Sequence, residues 1–195
     1  MGFSIFYLAV KGKSPDAVHQ ELGLHATGER ECFPESPVTA AVLADGWHLT
    51  VWNHTRIPKA VQAGSRGCIL DRLSSGCELL TCYAEEHVMY SAATAWKDGR
   101  KIWAVIHDAQ KNTRHLVAEG ELPPDFASIR DELMSLQDDE GDDACDNVFE
   151  IPVTTVQKLT GYRYDKIMIE PGDPFEVLVS ARPASRPFWK RLFGV

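Results

Sequence analysis

The chain has 195 residues, 44% of them hydrophobic and 25% charged, and a net charge of −8. That composition excludes a disordered chain, supplies one hydrophobic core and is short for two full domains. The acidic balance disfavours non-specific nucleic-acid binding, which needs a basic surface to neutralise phosphates, and suits a basic protein partner.

Phe3 to Val10 reads as a buried strand. It is too short to span a bilayer, lacks a preceding basic region, and leads into a helix start instead of a cleavage site. Phe6 occupies the position at which N-myristoylation needs Ser or Thr. The expected setting is the cytoplasm, with no integral membrane association. Five cysteines, at 32, 68, 77, 82 and 145, form no CxxC pair and read as reduced thiols.

Ser14-Pro15-Asp16 supplies a capping hydroxyl, a proline with helical φ and a first-turn acid, and Gly23 ends that helix. His19 is placed on its solvated side. Leu24 to Pro37, with Gly28, Pro34 and Pro37, reads as a surface loop that exposes Cys32. Val38 to Ala44 and Trp47 to Asn53 make a hairpin around Asp45-Gly46, setting Leu43 opposite His48 and Thr39 opposite Trp52. Ile57 to Leu73 contains helix, with Val61, Ile69, Leu70 and Leu73 on one face and a break at Gly64-Ser65-Arg66-Gly67. That break matches neither GxSxG nor a phosphate loop.

The stretch from Cys77 to Pro123 organises the chain. Asp98-Gly99 predicts a two-residue type I′ turn between strands rich in β-branched and aromatic residues. Counting outward pairs Lys97 with Arg100, Trp96 with Lys101, Thr94 with Trp103, Ala92 with Val105 and Tyr90 with His107. A second return through Asp108 to Asn112 pairs His107 with Thr113, Val105 with His115 and Trp103 with Val117. Alternation then gathers Tyr90, Trp96, Trp103, Val105, His107, His115 and Val117 on one face. The other face collects Met89, Ser91, Ala93, Ala95, Ile102, Ala104, Ile106, Leu116 and Ala118, a surface for a helix. Cys77 and Cys82, five positions apart, point to opposite faces.

Pro124-Asp125 opens a helix with Phe126, Ile129, Leu133 and Leu136 on one side, which is expected to cover the aliphatic sheet face. The acidic run Asp138, Asp139, Glu140, Asp142, Asp143 and Asp146 reads as a solvated loop, and it fails the EF-hand pattern. Pro152 to Thr160 forms a helix stopped by Gly161. Lys166 to Glu170 and Phe175 to Ala181 read as strands around Pro171-Gly172-Asp173-Pro174. Residues 182–195 make a tail in which Arg186, Lys190 and Arg191 alternate with Phe188, Trp189, Leu192 and Phe193.

The resulting fold class is α+β: mainly antiparallel sheet, built from hairpins and a meander, with helices packed on one face. Residues 1–181 form a single domain, divisible into sub-lobes 1–75 and 76–181. Glu85, Glu86, His87, His107 and Asp108 are the densest titratable group, although alternation sends His87 and His107 to different faces. The candidate binding residues are Tyr90, Trp96, Trp103, His107 and His115; no catalytic residue, metal ligand or cofactor is assigned.

The segments CYAEEHVMYSAATAWKDGRKIWAVIHD, HLVAEGELPPDFASI and FEIPVTTVQKLTGYRYD resemble a group of uncharacterised bacterial cytosolic proteins, over most of the chain to about Asp165. The resemblance implies a bacterial cytosolic setting and carries no site residue. The leading functional expectation is a binding or inhibitory protein, such as a cytosolic immunity protein. The alternatives are a small hydrolase-like enzyme using His107, His115 or Glu86 in a cleft, and a non-catalytic structural or interaction protein.

Overall fold

The computed structural model describes residues 2–53, 61, 68–141, 145–166 and 172–180. Their strands are β1 (Ser4–Lys11), β2 (Leu24–Glu31), β3 (Val38–Val42), β4 (His48–Asn53), β5 (Glu78–Glu85), β6 (Tyr90–Lys97), β7 (Arg100–Asp108), β8 (Leu116–Gly120) and β9 (Phe175–Ser180). They form one sheet in the order β2-β9-β3-β4-β1-β5-β6-β7-β8, antiparallel at each pairing. The mixed α+β class with a large antiparallel sheet is thus the observed one. The tail 182–195, the expected strand Lys166 to Glu170 after its first residue, and most of 57–67 lie outside the described residues.

β1 sits mid-sheet, which explains its unbroken apolar run: Ile5, Tyr7 and Ala9 enter one core, and Phe6, Leu8 and Val10 the other. Four helices accompany the sheet among the described residues: α1 (Pro15–Leu22), α2 (Leu70–Leu73), α3 (Phe126–Glu140) and α4 (Glu150–Thr160). The longer pair, α3 and α4, shares the core of Tyr7, and this side is called the helical face below. α1 and α2 bring Val18, Leu70 and Leu73 to the opposite face, so helices lie on both sides and not on one alone.

The start and stop signals of α1 and the stop signal of α4 hold. The Ser14 hydroxyl accepts from Ala17 N at 3.3 Å, Pro15 opens α1, and Gly23 takes the left-handed conformation that ends it. Gly161 ends α4 in the same way, with φ 76°. His19 differs from expectation: it is buried, because α1 turns it toward β4.

The strand registers differ from the count, with one cause at each hairpin. Asp98 and Gly99 both take positive φ, 49° and 78°, and pair Lys97 with Arg100 and Trp96 with Lys101 as expected. A bulge then slips the ladder by one at Ile102. Ala95 faces Trp103, Thr94 faces Ala104, Ala92 faces Ile106, Ser91 faces His107 and Tyr90 faces Asp108. One extra residue flips every later side chain of β7 to the other face. The second return is longer than expected and sets His107 opposite Leu116, Val105 opposite Ala118 and Trp103 opposite Gly120. At Asp45-Gly46 the loop holds three residues, closed by Leu43 N to Trp47 O at 2.8 Å, so Val42 faces His48 and Val38 faces Trp52. Leu24–Glu31 is a strand, not a loop; its polar residues are exposed because it is the sheet edge beside β9.

On the helical face, α4 lies across β5, β6 and β7. Ala84, Ser91, Ala93 and Ala95 leave room for it, and Ser91 Oγ donates to Phe149 O at 2.7 Å. Ile151, Val153 and Val156 are fully buried there, each worth about 1.5–3 kcal/mol of transfer free energy. α3 packs beside α4, so the cover expected from α3 is shared. Phe126 and Ile129 are buried, whereas Leu136 is exposed and Gln137 takes the inward position.

Candidate functional site

The bulge decides where the expected binding residues go. Trp103 and His107 turn onto the helical face and are buried beneath it, at 4% and 0% exposure, while Tyr90 and Trp96 stay on the opposite face. A single surface uniting Tyr90, Trp96, Trp103, His107 and His115 therefore does not form. His107 Nδ1 faces the carbonyl oxygen of His115 at 2.8 Å, and Nε2 faces Asp146 Oδ2 at 2.9 Å. Asp146 Oδ1 also accepts from Phe149 N at 3.0 Å, so this residue of the acidic run is a tether at the entrance to α4. An aspartate three residues before Phe149 closes the turn 147–149 that leads into α4, a local signal that the charge count concealed.

The titratable group of the central stretch also separates. Glu86 accepts from Phe3 N and from the Tyr164 hydroxyl, both at 2.8 Å. Glu85 bonds Ser4 Oγ at 2.5 Å and His87 Nδ1 at 2.6 Å. Burial raises the Glu85 carboxyl, but these hydrogen bonds outweigh it and leave the group below its ordinary value. The Ser4 hydroxyl donates its hydrogen bond to the Glu85 carboxylate and not to His87, so Ser4 and His87 do not make a nucleophile-base pair. Among the described residues no three His, Cys, Asp or Glu side chains are placed to hold a metal ion, and no helix is long and apolar enough to cross a membrane. All five cysteines are free; burial pushes the Cys82 thiol up to about 12, far from a reactive thiolate.

Two features remain. The first is the opposite face of β5–β8, where register aligns Tyr83, Ala92, Ile106 and Val117 in one row across four strands. Each is partly exposed. The Tyr83 and Tyr90 rings lie 5.6 Å apart, and Trp96 donates from Nε1 to Thr94 Oγ1 at 3.0 Å. Carboxylates bracket the row: Glu85 and Asp108 face Tyr90 from its two neighbouring strands, and Glu119 lies across from Ala104.

The second is a cleft of ≈ 470 Å³ on the same face near the other sheet edge, lined by His19, His48, Arg30, Asp173 and Glu176 with Pro15 and Ala40. Register places Glu176 between Arg30 and Ala40, and His48 across from Val42. The His19 and His48 rings meet at 4.9 Å between centroids. Burial lowers the His48 imidazole to about 4, with His19 as the second cause; burial also lowers His19, against the pull of Glu176 and Asp16. No sequence motif joins these histidines, since the contact exists only once α1 packs over β4.

His48 gives a pH prediction. Its folded value lies below the unfolded value, so the unfolded state binds more protons, and the stability present above about pH 6.5 is lost as pH falls toward 4. The contribution is about 3 kcal/mol between pH 7 and pH 4. Urea unfolding of His48→Gln, compared with the parent at both pH values, should show a correspondingly flatter dependence.

No family model, curated protein or solved structure matches this chain.

Proposed function

We propose that the chain is a binding protein that holds a basic protein partner on the opposite face of β5–β8, as an inhibitory protein of the immunity type does with a toxin. The observation that supports this reading is the row Tyr83, Ala92, Ile106 and Val117 bracketed by Glu85, Asp108 and Glu119. An apolar strip with aromatic anchors and an acidic rim is the anatomy of a docking surface for a cationic partner. The net charge of −8 adds long-range attraction of the same sign.

The test places a photo-reactive residue at Ile106 and, as a control, at Leu136, which is exposed on α3. In the native host, position 106 should cross-link a basic protein whose capture falls as salt rises, while position 136 should not. Tyr90→Ala should then weaken binding of that purified protein about tenfold or more. Equal capture at both positions, or an affinity indifferent to Tyr90→Ala, contradicts the reading.

A further inference from the structure

The cleft beside α1 stands apart from the docking row and is argued on different observations. His19 and His48 line it, both more than nine-tenths buried, at 7% and 3% exposure. Neither His19 Nε2 nor His48 Nδ1 has a hydrogen-bond partner among the described residues. Buried polar atoms are ordinarily paired, and two unpaired ring nitrogens on residues that line one cleft point to hydrogen bonding with something other than the chain's own groups.

The wall chemistry narrows what that ligand is. A divalent metal needs a third donor, and no such trio exists among the described residues. An anion meets two uncharged imidazoles and the carboxylates of Asp173 and Glu176. A cation meets the guanidinium of Arg30, which is held in place by Nε to Asp173 O at 2.8 Å and Nη2 to Pro174 O at 2.9 Å. A neutral imidazole offers one N–H and one lone pair, and a hydroxyl group satisfies either. Carboxylate and guanidinium groups on one wall give hydroxyls both an acceptor and a donor. The volume of ≈ 470 Å³ falls within the range of about 300–1,000 Å³ usual for small-molecule sites.

We infer that this cleft binds a small neutral polyhydroxyl compound, of the monosaccharide or cyclitol class, through hydroxyls that bond the paired imidazoles and the Glu176 carboxylate. The test titrates the full chain separately with D-glucose, myo-inositol, inorganic phosphate and zinc chloride, following the imidazole nitrogen signals of its seven histidines. At least one polyol should shift the His19 and His48 signals saturably and leave the others in place. His48→Gln should weaken that binding at least fivefold, and so should Glu176→Ala, which tests the site without altering a buried ring. Shifts with phosphate or zinc but with neither polyol would overturn the assignment, as would no shift with any of the four probes. Retained polyol affinity in Glu176→Ala overturns it too. None of these outcomes bears on the capture experiment at Ile106.

Discussion

Asp146→Ala is expected to lower the unfolding free energy by about 2–6 kcal/mol, at about 1–3 kcal/mol for each of two buried hydrogen-bonding groups left without a partner. The substitution strips the fully buried His107 ring of its Nε2 contact at 2.9 Å and removes the acceptor for Phe149 N. Both losses fall at one junction, where residues 146–149 lead into α4 beside His107 of β7. Gln137 supports the same junction, its side chain accepting from Asn147 N at 2.7 Å and donating to Gly141 O at 2.8 Å. Asp146→Asn keeps an oxygen for Phe149 N and a polar amide beside His107 Nε2, so its loss should be well below that of alanine. Urea unfolding checks both variants: the midpoint should fall at unchanged slope, in the order parent, asparagine, alanine. A loss under about 1 kcal/mol for the alanine variant would mean that the His107 contact carries little of the fold's stability.

Gly120→Ala should be comparably damaging, for a different reason. Gly120 has φ 85°, and a Cβ there would sit 2.0 Å from Ile102 O and 2.9 Å from Trp103 Cα, both backbone atoms. Left-handed backbone costs an alanine about 1–3 kcal/mol, and overpacking a site that cannot yield adds about 1–3 more. Relief requires β8 to move off β7 where Trp103 faces Gly120, which also endangers the bond from Glu121 N to Ile102 O at 3.0 Å. Gly161→Ala is the control, since its φ is 76° with nothing within 4 Å of the new Cβ. Hydrogen exchange should quicken across β8 in Gly120→Ala and remain at parent rates there in Gly161→Ala. Equal destabilisation of the two variants would remove the clash from the account.

These variants fall where the sequence could not be read. Ser14, Pro15, Gly23, Asp98, Gly99 and Gly161 act within a few residues, so caps and turn type were legible from the chain alone. Register was not. Ile102, Trp103, Ala104, Val105 and Ile106 are all apolar, so alternation could not locate one extra residue, and the slip at Ile102 reversed the faces of Trp103 and His107. β2 escaped detection because six of its eight residues are exposed, and its strand conformation comes from pairing with β9 about 150 positions away. His19 and His48 meet by tertiary packing between a helix and a strand 29 positions apart, which no local periodicity encodes. Tyr90 and Trp96 were placed on the accessible side because they precede the bulge on the unbulged strand, and Tyr83 and Ile106 joined them only through pairing.

The most direct test uses 5-fluorotryptophan, which gives separate fluorine signals for Trp96 and Trp103, read with a soluble paramagnetic chelate and then with the protein captured through Ile106. Trp96 should broaden with the chelate and be protected by the partner, while Trp103, 4% exposed beneath α4, should respond to neither. Broadening of Trp103, or a Trp96 signal that the bound partner leaves unprotected, would contradict the division of faces and the docking surface built on it.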